Sequence, residues 1–122
     1  MPACRQNLPS LALVALTLTV ASAIPAAAAS PPLYWAARQV HTSHFNSCLS
    51  FAKKVMFDLH LTDIHQSQSD VAGRTANTHS AITCVGNGSG MTAVIMVAGD
   101  NNESAQLRDA MANRITKLVP FD

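Results

Sequence analysis

Two cysteines, Cys48 and Cys84, sit in two different periodic patterns, and that restricts how this chain can fold. Around the first, His44 to Leu61 reads HFNSCLSFAKKVMFDLHL, with apolar residues at Phe45, Cys48, Leu49, Ala52, Val55, Met56 and Leu59. This i, i+3, i+4, i+7 spacing belongs to a helix with one buried face, and Cys48 lies inside the stripe. Lys53 and Lys54 fall outside it and should face water. Around the second, His79 to Val85 reads HSAITCV, a strand-like run in which Ile82 and Cys84 share a face. If the helix covers that face, a sulfur from each element enters the same layer. The expected core is therefore a helix laid on a sheet and joined to it by a Cys48–Cys84 disulfide.

A disulfide belongs to an oxidising compartment, and the N-terminus supplies the address. Arg5 is a thin positive region, Leu11 to Ile24 is the apolar run LALVALTLTVASAI, Pro25 breaks it, and Ala26 to Ala29 are small. This is the pattern of a secretory signal. Residues 1–29 are read as signal peptide and residues 30–122 as a single domain. Cleavage after Ala28 satisfies the small-residue rule as well as cleavage after Ala29; the latter leaves Ser30 as the mature start. The apolar run is shorter than the ~20 residues a membrane span needs. No cysteine follows the small residues and no twin arginine precedes the run, so the expected destination is periplasmic or secreted, without a membrane anchor after cleavage. Cys4 leaves with the signal, and Cys48 and Cys84 remain as an even pair. They lack the C-x-x-C spacing of redox-active thiols, which favours a structural bond.

The rest of the chain supplies a sheet and a second helix. Tyr34 and Trp35 are expected to anchor a proline-marked lead-in, and Ala37 to Thr42 to form a short strand. Thr42 and Ser43 offer capping hydroxyls for the first helix, which should run to about Leu59. Thr62 to Thr75, TDIHQSQSDVAGRT, reads as one exposed edge strand turning near Gly73. His79 to Val85 is a strand, Gly86 to Gly90 a hairpin loop, and Met91 to Ala98, MTAVIMVA, an apolar central strand. Asp100 and Glu103 have the spacing of a capping box, and Leu107, Ala110, Met111, Ile115 and Leu118 form the stripe of a second helix that Pro120 ends. The expected fold class is α+β: a small antiparallel sheet of three to four strands with two helices packed on one face, in the order β-α-β-β-β-α.

This order resembles that of small exported bacterial proteins of unknown function. The features that carry the resemblance are Cys48 in the first helix, Cys84 in a middle strand, and MTAVIMVAGD followed by NNESAQLRDAM. The resemblance implies a fold and a compartment, and it brings no activity and no catalytic residue.

Charge and motifs narrow the function by exclusion. Removing Arg5 from eight basic residues leaves seven, against seven acidic ones, so the mature chain is near neutral. That argues against nucleic acid or an anionic membrane surface as partner. His41, His44 and Cys48 are close in sequence, and with His79 they offer a mixed set of zinc or copper ligands. A disulfide consumes Cys48, which leaves His41, His44 and His79 as the candidate metal site. Met56, Met91, Met96 and Met111 read as core filler rather than copper ligands. The GNGSG loop has no G-K-[ST] and does not read as a phosphate loop. Serine, histidine and aspartate are present, but no motif brings a nucleophile, a base and an orienting acid together.

The reading is thus an exported, non-enzymatic accessory or binding domain for an unidentified protein or small ligand, without a resident cofactor. A metal-binding protein using His41, His44 and His79 is the alternative, and a small hydrolase or thiol enzyme stands third. N-terminal sequencing of material recovered after export is expected to begin at Ser30. An intact Met1 in a membrane fraction would refute the signal.

Overall fold

The computed structural model describes residues 32–120. The expected signal peptide, residues 1–29, lies outside them. The elements are β1 (Leu33–Val40), α1 (Phe45–Asp58), β2 (Thr62–Gln66), β3 (Asp70–Arg74), β4 (Thr78–Gly86), β5 (Met91–Gly99) and α2 (Asn101–Ile115). The strands make one five-stranded sheet in the order β1-β5-β4-β3-β2, with every neighbouring pair antiparallel. The α+β class and the two helices match the expectation. The strand count does not: there are five strands rather than three to four, and the order is β-α-β-β-β-β-α.

The extra strand comes from the stretch Thr62 to Thr75, which folds as β2 and β3 rather than as one edge strand. Ser67 donates its amide to the Asp70 carbonyl at 2.9 Å and closes the tight turn between them. Only Ile64 and Val71 in this stretch reach the core, so period two is barely visible there. β1 also begins earlier than expected, at Leu33. β5 is interior, flanked by β1 and β4, and β4 holds the middle of the sheet.

Both helices pack on the same side. α1 contacts β2, β3, β4 and β5, and α2 contacts β1 and β5. Their layer is filled by Leu49, Ala52, Val55 and Met56 of α1, Met111 and Ile115 of α2, and Val71, Ile82, Ile95 and Val97 of the sheet, all buried. Phe45, expected on the stripe of α1, is the first residue of the helix and is 37% exposed. Gly73 lets α1 approach β3 closely: a Cβ there would stand 3.0 Å from Met56 Sδ and 3.3 Å from Leu61 Cδ2. Cys48 and Cys84 are bonded, with Cα atoms 6.2 Å apart, inside the ~4.4–6.8 Å range a disulfide spans. Both are buried, so the bond crosses the helix–sheet layer where it is driest.

The helix starts differ from each other. The N-cap of α1 is His44, and its side chain makes no capping bond. Thr42, expected as the cap, instead accepts the His44 amide on Oγ1 at 3.1 Å and shapes the turn before the helix. At α2, Asp100 caps as expected, accepting the Glu103 amide on Oδ1 at 3.0 Å. The Glu103 carboxylate does not complete the box. It accepts the Thr75 hydroxyl at 2.7 Å and ties the β3–β4 turn to α2. With its one proton so directed, Thr75 Oγ1 receives the Thr78 hydroxyl at 2.8 Å and the Thr78 amide at 3.1 Å. Gly99 makes the exit from β5 toward Asp100 at φ +138°, where a Cβ would collide with the Asn77 carbonyl oxygen.

Two outcomes follow for stability. The cysteines are 36 positions apart, and chain entropy puts their bond at about 3.5–4 kcal/mol. Urea denaturation of the Cys48→Ser, Cys84→Ser double variant should show a loss of that size; an unchanged midpoint would mean the bond contributes nothing. Gly99→Ala combines a disfavoured φ with a backbone collision and should cost about 1–3 kcal/mol or more in the same assay.

Candidate functional site

Because both helices lie on one side, the other side of the sheet has no layer over it among the described residues. Strand alternation fixes which residues it presents. In β4 the residues of even number are buried toward the helices, and His79, Ala81, Thr83 and Val85 face the other way. In β5 the parity is reversed, and Thr92, Val94, Met96 and Ala98 are presented. β1 adds Leu33, Trp35, Ala37 and Gln39, and β3 adds Asp70, Ala72 and Arg74. The strand register arranges these in rows. One row runs Trp35, Met96, Ala81, Ala72, His65; the next runs Leu33, Ala98, His79, Arg74.

The face is largely apolar over β1 and β5, through Leu33, Trp35, Ala37, Val94, Met96 and Ala98, and mixed over β4. Three of the large hydrophobic side chains exposed on the molecule lie on it: Trp35 at 63%, Leu33 at 60% and Val85 at 46%. Trp35 therefore does not anchor a lead-in, as the sequence suggested, and stands out from the edge strand. Its neighbour Tyr34, of opposite parity, does the anchoring. The Tyr34 hydroxyl donates to Asn101 Oδ1 at 3.2 Å, and the Arg108 guanidinium lies 5.7 Å from its ring centroid.

Toward β3 the relief falls. The small side chains of Ala72, Ala81 and Ala98 leave two shallow cavities open to solvent. One, of about 320 Å³, is bordered by Asp63, His65, Ala72, Arg74 and His79. The other, of about 200 Å³, lies between Leu33, His79, Ala81, Met96 and Ala98. Polar groups gather at two places: at one end Asn87 Nδ2 donates to Gln39 Oε1 at 3.0 Å and to Thr92 Oγ1 at 2.8 Å, and at the other lies the charged β2–β3 corner. There Arg74 Nε pairs with Asp63 Oδ2, and His65 Nδ1 is 3.0 Å from the Asp63 carbonyl oxygen. Asp63 holds a positive φ of 53°, in the left-handed region that aspartate tolerates better than most residues. Both members of the ion pair are well exposed, so it contributes under ~1 kcal/mol.

The structure separates the three candidate metal ligands. His41 and His44 flank the turn after Val40, at the end of the sheet where Val40 pairs with Met91. His79 pairs with Ala98, which pairs with Leu33 at the opposite end. Seven strand residues at ~3.3 Å each put roughly 23 Å between the two ends. Among the described residues no three histidine, cysteine, aspartate or glutamate side chains gather as a metal site. Met56, Met91 and Met111 are buried. The disulfide removes both described thiols as nucleophiles or metal ligands.

No known protein family, no curated protein and no solved structure matches the chain. No helix among the described residues is long and apolar enough to cross a membrane.

The sequence carried a sign of the open face that was assigned to burial instead. Val94, Met96 and Ala98 of β5 are apolar on the parity opposite to the core, as are Leu33, Trp35 and Ala37 of β1. What the sequence did not carry is the buried polar cluster at the start of α2. There the Ser104 hydroxyl is fully buried without a hydrogen-bond partner. An unsatisfied buried hydroxyl costs about 1–3 kcal/mol. Ser104→Ala should therefore raise the melting temperature, and a clear fall would show that the hydroxyl is bonded in solution.

Proposed function

We propose that this chain is an exported, non-enzymatic accessory domain that binds a protein partner through the open face of its sheet. The observation that carries the reading is the adjoining set of Leu33 and Trp35 on β1 with Val94, Met96 and Ala98 on β5, on a face that no helix covers among the described residues. Isolated exposed hydrophobics need no explanation, but a contiguous apolar patch on a small domain is the usual mark of an interaction surface. Tryptophan is also the residue most enriched among side chains that dominate binding energy. The near-neutral charge favours a partner met by shape and apolar contact over one drawn in by charge.

The lack of catalytic design supports the same reading. The two cavities on this face are shallow and open, whereas small-molecule and catalytic sites enclose most of their ligand. The imidazoles at the corner, His65 and His79, have no hydrogen-bonded serine or threonine hydroxyl to activate. Export fits the structural disulfide, which persists in an oxidising compartment.

The test is site-specific photocrosslinking during export. A photoreactive phenylalanine analogue replaces Trp35 in one variant and Lys53, on the water-facing side of α1, in another. Adducts to protein are expected from position 35 and not from position 53. No adduct at position 35, or equal adducts at both, would overturn the reading.

A further inference from the structure

We infer that the partner on the open face is a second copy of this chain, packed sheet to sheet about a two-fold axis parallel to the strands. This rests on the reading of that face as a binding surface and names its occupant.

The first argument is the pattern of β5. A strand apolar at both parities is the pattern of a strand buried on both faces. Ala93, Ile95 and Val97 are buried under the helices, while Val94, Met96 and Ala98 are apolar, half-buried, and have no layer over them among the described residues. A second sheet stacked at ~10 Å would complete that burial.

The second argument is self-complementary relief. The row Trp35, Met96, Ala81, Ala72 runs from the largest side chain to the smallest. A two-fold axis lying across the strands would set the β1 ridge of one copy on the β1 ridge of the other. An axis along the strands, between β5 and β4, sets β1 over the partner's β3 and β5 over the partner's β4. Trp35 then stands over the hollow at Ala72, whose cavity is about 320 Å³, and Met96 stands over Ala81. The same operation repeats both contacts, as an isologous interface requires.

Charge and area agree. β2 overhangs this arrangement, so Asp63 and His65 lie at a wet rim. Arg74, on β3, is already paired with Asp63, and Asp70 accepts the Ser67 hydroxyl within its own copy. β5 and β4, nine residues each, overlap along their length, while β3, five residues long, limits the overlap with the partner's β1; at ~3.3 Å per residue and ~4.8 Å between strands the footprint is roughly 440 Å² per copy. The total of about 900 Å² belongs to the weak, transient class of interface, so the dimer should be concentration-dependent at micromolar levels and above.

The experiment uses the exported, oxidised chain, purified alone. Sedimentation velocity across the micromolar range should show a monomer–dimer equilibrium. Emission from Trp35, the only tryptophan, should shift to the blue as concentration rises. Trp35→Asp and Ala72→Trp should each weaken the dimer at least ~30-fold, the scale of losing a central anchor. Circular dichroism melts at low concentration should show both variants folded, because neither side chain contributes to the helix-covered core. Combining Trp35→Ala with Ala72→Trp exchanges ridge and hollow, and the same symmetry should restore most of the affinity. A chain that stays monomeric up to millimolar concentration overturns the proposal. So does a dimer indifferent to Trp35→Asp, which would be joined elsewhere, for instance along the free edge of β1. A monomer whose position 35 crosslinks to a different protein would leave the binding reading standing, whereas no crosslink there removes both.

Discussion

The bond between Cys48 and Cys84 is the constraint on which the rest of this small domain depends. It fastens the first turn of α1 to β4, the middle strand of the sheet, inside a layer from which water is excluded. With α1 held there, Ala52, Val55 and Met56 are committed to Val71 and Ile82 beneath them. The remaining helix-side surface, over β1 and β5, is what α2 covers. The helices also meet each other, with Asp58 of α1 lying between Lys54 and Arg114. These surface ion pairs are weak, but they sit where the crosslink has already fixed the geometry. A core of this size has a net stability of ~5–15 kcal/mol, so a constraint of about 3.5–4 kcal/mol decides whether the layer closes.

The same constraint limits the chemistry. A covalent sulfur pair is unavailable as nucleophile or ligand, and it fixes α1 against β4. Among the described residues two polar groupings involve the sheet and its turns most closely: the start of α2, where Glu103 accepts the Thr75 hydroxyl and Asp100 accepts the Glu103 amide, and the β2–β3 corner with its exposed ion pair. Neither assembles an activated nucleophile. The first is a tie that holds a hairpin turn to a helix, and the second is wet on all its open sides. Among the described residues one sheet face has no layer over it, apolar over much of β1 and β5 and polar toward β3.

How much of this was legible in the sequence depends on period. The stripe through Cys48, Leu49, Ala52, Val55 and Met56 repeats at helical spacing, and Ile82 and Cys84 repeat at strand spacing, so the disulfide and its layer could be read directly. The Asp100 cap was legible because capping is local. β2 and β3 were not separable, because Thr62 to Arg74 offers few apolar residues and Gly73 stands where a core side chain would otherwise mark the pattern. β1 was cut short at its start because Leu33 to Ala37 is apolar at both parities and shows no alternation. The candidate metal site failed to assemble for a topological reason: His41 and His79 come from opposite ends of the sheet, and nothing in their spacing shows which end a strand residue occupies.

That loss of alternation in β1 and β5 is informative in itself. Period two in a strand records a difference between its two faces, and where the difference vanishes the sequence no longer marks which face is covered. In β4 the difference is partly kept, with His79 and Thr83 on the open side; in β5 it is gone, with Val94, Met96 and Ala98 there. The weakening is also graded across the sheet. It is strongest at β1 and β5, where Gln39 and Thr92 alone are polar on the open side, partial at β4, and replaced by charge at β3 and β2, where Asp70, Arg74 and Asp63 appear. The two edges differ in the same sense. β2 is short, bulged and charged, the usual protection of an edge against unwanted pairing. β1 is an eight-residue strand without a bulge and carries Trp35 outward from the face. A tryptophan on a central strand would dome the face and keep a flat surface from approaching. On an edge strand, opposite alanines, it leaves the face open to close packing by a surface with matching relief.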